Sequence, residues 1–392
     1  MSLFGSSRSS PDAAEVTRDL AEDVRESVDE HGEVLHVRPY RDDGDMRAAK
    51  QLLTAIHEVK ESDGLRNTNE TPPIAFEPTY SDEAISYRFA PVDRRVLEAL
   101  ERLIPNFYRD ADVTRDPAEF IPVQEGQYLA AARLELADDD YFKPIKHFEI
   151  DPEEFETDPY GSIIPEMIGP RDRGGSSSTM VQVLIRPAWS NHPRDRKNWY
   201  HGVEHTAKRL KKGDVGWRPS AAIEGFASAL VGSSGEEIEH TKTRPSTSAQ
   251  KQAADIVSDQ RGSKGYHLNM RVIATANSPE AAEERVRDTA GMYRRFYTST
   301  YEQGFEPIWA GPDGAATLVR RMAKREWVDR KMILSAGALA GVCHIPTTLA
   351  TPEIDYSRTS GSGSTPSEAP AFESFQEETK TENEDEGGGD AA

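Results

Sequence analysis

The chain has 392 residues, 36% of them apolar, and 68 acidic against 47 basic side chains give a formal net charge of −21. That length holds one large domain or two ordinary ones, and the negative balance repels nucleic acid, so any DNA contact has to come from a local basic cluster. Cys343 is the sole cysteine, which excludes an internal disulfide and a cysteine-built zinc site.

Taken in chain order, residues 1–30 read as a flexible acidic lead with some helical character, and 31–79 as a helix and linker. Within the latter, Ala49, Leu52, Leu53, Ile56 and Val59 recur at helical spacing over 43–60. Thr71-Pro72-Pro73 breaks the chain. Residues 80–160 form a first α+β half: 84–90 alternates as a strand, Pro91 is expected to open a helix with Val92, Val96, Leu97, Leu100 and Ile104 on one face, and Pro105 to stop it. Further strands are predicted over 107–114 and 127–136. Residues 161–356 form a second half with strands over 180–186 and 266–276, then a helix capped by Ser278 with Pro279 at its first position. An insertion near 191–265 carries two helices, 196–212 and 246–258.

Strand, proline-started helix and strand occur in both halves. The expected fold is therefore α+β, two similar halves, each a mixed or antiparallel sheet with helices on one face, with a ferredoxin-like tendency. The longest uncharged stretch, 332–352, includes His344, Pro346 and several Thr, a poor membrane span and a better buried helix followed by a turn. The amino terminus shows no apolar signal region, so a cytoplasmic protein is expected. From Ser357 to Ala392 the Ser/Gly/Pro/Glu-rich sequence cannot bury enough apolar surface to fold and is expected to be a disordered acidic tail. Arginine outnumbers lysine 33 to 14 and the acids run along the whole chain, a salt-adapted surface of haloarchaeal style.

Three motifs bear on chemistry. His201, Glu204 and His205 fit H-x-x-E-H, which on a helix places two imidazoles on one face to hold zinc with the glutamate as base; Glu283 or Glu284 would supply a third ligand. Gly202 and the nearby lysines weaken that reading. Residues 169–176 have the spacing of a phosphate loop, but Gly175 stands where lysine is needed and a strand follows instead of a helix. Arg194, Arg196, Lys197, Lys208, Arg209, Lys211 and Lys212, with Trp199 and Tyr200 interleaved, form a candidate nucleic-acid or partner contact, set against the plainer reading of a solvated helix face paired to carboxylates. No cofactor is expected.

The strand ending Ile185-Arg186-Pro187-Ala188, the strand over 268–276, the run 334–346 ending His344-Ile345-Pro346, and Thr351-Pro352-Glu353-Ile354 stand in one order. With the segment Tyr141–Glu149, they resemble the amino-terminal, non-motor region of archaeal and bacterial conjugative type IV secretion coupling ATPases. The resemblance covers about residues 80–356 and lacks the family's ATPase motifs and its amino-terminal membrane helices. It implies a non-catalytic accessory module of a DNA-transfer, conjugation-like apparatus on a plasmid or other mobile element. Its partner would be a separately encoded P-loop ATPase motor, with DNA held through the basic segment and a docking turn formed by His344, Ile345, Pro346 and Pro352. Such a module would be cytoplasmic, at the periphery of a membrane-bound transfer complex. Two alternatives compete: a zinc-dependent hydrolase using the H-x-x-E-H helix, and a structural interaction protein of a haloarchaeal virus or plasmid.

Overall fold

A computed structural model describes residues 9–41, 44–61, 68–169, 177–189, 198–213 and 246–357. It is α+β, built on one antiparallel ten-stranded sheet. The chain opens with β1 (Ala14–Glu15) and α1 (Arg18–Asp29). The first half follows as β2 (Glu33–Arg38), α2 (Met46–Ala55), β3 (Ile74–Ser81), β4 (Ala84–Pro91), α3 (Arg94–Phe107) and β5 (Asp112–Pro117). The second half repeats the plan with β6 (Tyr128–Leu136), α4 (Tyr160–Ile168), β7 (Ser178–Pro187), β8 (Gly265–Ala276), α7 (Pro279–Met292) and β9 (Phe305–Trp309), interrupted after β7 by α5 (Trp199–Lys211) and α6 (Ser248–Asp259). It closes with α8 (Pro312–Ala323), β10 (Ile333–Ser335) and α9 (Ala336–Ala340).

Strand pairing makes the repeat explicit. In the first half β5 pairs β2, β2 pairs β4 and β4 pairs β3; in the second β9 pairs β6, β6 pairs β8 and β8 pairs β7. Both are βαββαβ units with spatial order fourth, first, third, second strand, the ferredoxin-like arrangement. The halves merge through their second strands: β3 runs antiparallel to β7, with Ile74 opposite Ile185 and Tyr80 opposite Thr179. β1 extends β6, and β10 extends β8.

Alternation explains the layers. Ile85, Tyr87 and Phe89 of β4, and Leu268, Met270, Val272 and Ala274 of β8, point to one face and share a core with apolar residues of α2, α3, α4, α7 and α9. Leu100 of α3 and Val286 of α7 are fully buried there, and each such side chain contributes about 1.5–3 kcal/mol of burial. On the opposite face α1 and α8 cover the second half: Leu20, Val24 and Val28 meet Leu318 and Met322 above Leu129, Met180 and Ile273. The α5–α6 pair forms a smaller cluster around Phe142, with Trp199, Val203, Ala254 and Val257.

Several expectations shift. The acidic lead is structured from residue 14 because Leu20, Val24 and Val28 give α1 a buried face, with Thr17 as N-cap. Within 31–79 lie two strands as well as α2. β4 continues through Pro91, and Asp93, whose carboxylate accepts from the Arg95 N–H, caps α3. Pro105 sits inside the last turn of that helix. The predicted strand over 107–114 moves to 112–117, because Phe107 and Tyr108 complete the helix and its cap. The tail 358–392 lies outside the described residues.

Candidate functional site

Of the basic segment, Arg194, Arg196 and Lys197 lie outside the described residues. The rest is α5 and its C-cap. Asn198 caps its start by accepting from the His201 N–H. Lys208 binds Glu204 at 2.7 Å and Lys211 binds Asp255 at 3.1 Å. Arg209 holds Asp140, a carboxylate that also accepts from Thr206 Oγ1 at 3.0 Å. Lys212 is exposed. The helix therefore presents cations largely paired with carboxylates.

His201 and His205 are exposed on the same helix. The hydrogen bond from Lys208 holds the Glu204 carboxyl below its usual range. Among the described residues no group of three His, Cys, Asp or Glu side chains is placed to hold a metal ion. Gly202 has a packing reason: a Cβ there would come within 1.9 Å of the Phe142 ring.

The 344–352 turn divides between interior and surface. His344 is 1% exposed; its Nδ1 lies 3.0 Å from the Ala340 carbonyl and its Nε2 2.9 Å from Asp158 Oδ1, with the ring edge-on to Tyr160. Burial alone would raise the Asp158 carboxyl, but His344, the Tyr160 N–H and Arg295 together hold it below its ordinary value. Ile345 is buried and its N–H faces Tyr108 Oη at 3.4 Å. Pro346 is buried, whereas Pro352 is exposed. The turn thus fastens the second half, through Asp158 and Tyr160, to the first, through Tyr108. Ile354 then bridges to Ile85 of β4. Along the turn, Thr348, Ala350 and Pro352 are exposed.

Across the sheet, on the face carrying α1 and α8, a row of polar residues follows strand register. Thr114 lies opposite His36, His36 opposite Arg88, Arg88 opposite Glu77, Gln182 opposite Arg271, and Arg271 opposite Arg133. Gln182 Nε2 donates to Glu77 Oε1 at 2.8 Å, joining the two halves. Arg325, just past α8, donates to both Glu77 oxygens, and Arg271 Nη1 donates to Gln182 Oε1 at 3.1 Å. Burial pushes the Arg271 guanidinium down to about 10. In sequence, Glu77, Gln182 and Arg271 each stand between apolar neighbours: Phe76 and Pro78, Val181 and Val183, Met270 and Val272. Both Glu77 oxygens are occupied, so the cluster works as an interlock.

A cavity of about 1090 Å³ opens at the other end of the strands. Its walls are the β3–β4 turn, the start of β7, the end of β8, the carboxyl end of α4 and the first turns of α7. Among the described residues, Asp82, Glu83, Glu166, Glu284, Asp288 and Glu353 line it together with Arg285. Arg285 is 8% exposed; its guanidinium lies against Gly169 and its Nη2 donates to Ser177 Oγ at 3.3 Å. Gly169 has φ +63°, and a Cβ on it would fall 1.4 Å from Nη1, so glycine is required twice over. A second groove of about 620 Å³ shares Glu83, Pro352 and Glu353 with the first.

These features define a tandem ferredoxin-like α+β protein whose halves are locked by a buried polar row and whose open end is an acidic cleft. The model of a family described as a domain of unknown function, DUF8128, matches residues 6–357, and the chain belongs to that family. No curated protein gives a significant match. Among the described residues no helix is long and apolar enough to cross a membrane.

Proposed function

We propose that the chain is a partner-binding module, the non-catalytic accessory component of a DNA-transfer apparatus, working with a separately encoded P-loop ATPase motor. The observation that carries the reading is the assembly of the resembling segments into one continuous unit. β7 pairs β8 along ten residue pairs, β10 extends β8, and the 342–354 run crosses from one half to the other before pairing with β4. Short motifs scattered in the sequence are neighbours in space, as parts of one inherited scaffold are. A second support is that Pro352, expected in the docking joint, lies on the surface, as do Thr348 and Ala350 before it, while residues 341–347 are buried.

In this reading the exposed face of α5, with Lys208, Lys211 and Lys212, is the place where DNA or a partner approaches, since Arg209 is committed to Asp140. The test is co-purification in molar KCl of the full chain with a P-loop ATPase encoded in the neighbouring reading frame. A stable complex supports the module; two proteins that elute separately, or nucleotide or peptide hydrolysis by the chain alone, sink it.

A further inference from the structure

Two kinds of surface lie side by side on α3. Its inner face, Leu97, Leu100 and Ile104, is buried in the core. On its flank Val96, Ala99, Leu103 and Phe107 recur three and four residues apart and are only half-buried, so a second apolar stripe runs along the helix. Val92, just before the cap, continues it and is 57% exposed. Bordering the stripe, Arg95 and Arg102 stand two turns apart, and Arg109 follows just past the C-cap; all three are exposed. The carboxylates of this helix are already engaged: Asp93 with Lys60, Glu98 with Arg94 at 3.1 Å, and Glu101 with Arg115. Arg95, Arg102 and Arg109 form no ion pair among the described residues. On a chain of net charge −21, this face is cationic and apolar at once. It suits a ligand that is acidic and also carries large apolar side chains. A phosphate backbone would answer the arginines and leave the stripe in water.

The chain contains a segment of that chemistry. Phe372 and Phe375 stand three residues apart beside Glu373, Glu377 and Glu378, and from 368 to 390 nine acidic residues stand against Lys380 alone. The described chain ends within reach of α3. The Ser357 N–H donates to the Pro39 carbonyl at 2.8 Å, just past β2, and five residues further on Gly44 lies against the ring of Tyr108, the C-cap of α3. Pro39 and Gly44 are at most about 18 Å apart and α3 is about 21 Å long, whereas the chain from Ser357 to Phe372 can span about 50 Å. Covalent attachment also raises the effective concentration of this segment over any separate ligand.

We propose that the acidic segment after residue 367 docks on α3 of its own chain, Phe372 and Phe375 on the apolar stripe and its carboxylates on Arg95, Arg102 and Arg109. The contact goes beyond the accessory-module reading and stands whether or not a motor binds.

The probe is a fluorescein-labelled peptide of residues 366–388, followed by fluorescence polarisation on three full-length chains at about 0.1 M and about 1 M KCl, since salt screens the ion pairs and leaves the apolar contact. The first chain is wild type. The second has its own segment disabled by Phe372→Ser/Glu373→Gln/Phe375→Ser/Glu377→Gln/Glu378→Gln. The third adds Arg95→Gln/Arg102→Gln/Arg109→Gln to the second. Thermal unfolding checks that each is folded, and Arg102→Gln alone is the reserve for the triple change. The expected result is saturable binding to the disabled chain, about tenfold or more weaker to wild type, whose site is filled from within, and to the arginine variant. No binding to the disabled chain, equal binding to it and to wild type, or undiminished binding to the folded arginine variant overturns the proposal. Sedimentation adds one more outcome: a wild-type dimer that the disabled chain fails to form places the segment on a second copy and overturns the contact within one chain. If a duplex DNA probe binds the disabled chain while the peptide does not, the surface is a nucleic-acid contact and the proposal falls.

Discussion

Arg325 and Glu77 meet in two near-parallel hydrogen bonds, Nε to Oε1 at 3.1 Å and Nη2 to Oε2 at 2.9 Å, with both side chains at 0% exposure. Arg325 adopts φ +49°, an unusual backbone conformation for a side-chain-bearing residue, and that bend turns the chain leaving α8 back over the seam between β3 and β7. A buried ion pair adds little net stability over an apolar pair, but losing one member strands a charge.

Glu77→Gln and Arg325→Leu are therefore each expected to cost about 3–5 kcal/mol. The loss should be non-additive: the double variant Glu77→Leu/Arg325→Leu should recover part of it, because no lone charge is left. Urea unfolding of the three proteins measures the coupling, and strictly additive losses would show that the pair is not the lock between the halves.

The repeat could be read from sequence because its strands carry period-two alternation and its second α-helix in the second half has the explicit Ser278-Pro279 start. In sequence β3 reads as linker because Glu77 and Pro78 break its alternation, and Glu77 makes sense only once Arg325, 248 residues away, is beside it. α1 reads as part of a polar lead because its charged positions outnumber the apolar ones, and its partner Leu318 is still more distant in the chain. The basic segment was legible as composition, but the carboxylates that pair with it come from the 138–140 loop and from α6. The acidic cleft left no local signal, since its six carboxylates come from segments spread between residues 82 and 353.

Acid should destabilise this protein early. Burial, with Lys50 nearby, pushes the His147 imidazole down to about 3, and burial with Arg325 nearby pushes His31 down to about 4. Both sit below the ordinary value near 6.5, so the unfolded chain binds more protons between those limits. Their contribution is whole above pH 6.5 and is lost as pH falls below it, for His147 at about 1.4 kcal/mol per pH unit. The expected outcome is a fall in unfolding free energy from pH 7 to pH 5 that is shallower in His147→Gln. Asp158 adds a later loss: its depressed carboxyl stabilises the fold above its unfolded value near 3.8 and ceases to do so as pH drops through the folded value. A pH profile that is flat from 7 to 5 would refute the assignment.

Of two crowded glycines, Gly202 is expected to resist even alanine and Gly337 to tolerate it. At Gly202 a Cβ would sit 1.9 Å from the Phe142 ring, and at Gly337 it would sit 1.9 Å from Glu149 Oε2. The ring at Gly202 is locked in the cluster with Trp199, so Gly202→Ala should cost about 1–3 kcal/mol as overpacking, whereas Glu149 is a side chain at the surface that can swing away. Gly202→Ala/Phe142→Leu should restore most of the loss. Thermal unfolding distinguishes these outcomes, and an unchanged midpoint for Gly202→Ala would mean that α5 can lift from Phe142 freely.

The cations of α5 should separate into a structural one and an available set. Arg209 joins Asp140, a carboxylate only 10% exposed that also takes the Thr206 hydroxyl, so the pair anchors α5 to the 138–143 loop. Arg209→Gln is expected to cost about 1.5–3 kcal/mol, the range for a hydrogen bond to a charged partner. Lys208 and Lys211 make solvent-screened surface pairs that add little to stability, and Lys212 is exposed at the helix end. The triple variant Lys208→Gln/Lys211→Gln/Lys212→Gln should therefore unfold close to wild type in denaturant while losing any retention on duplex DNA or on the motor, measured by pull-down of the full chain. If the triple variant is retained as well as wild type, these lysines serve solubility alone and the contact belongs elsewhere; if it unfolds much earlier, they are part of the scaffold, and the division between Arg209 and its neighbours is wrong.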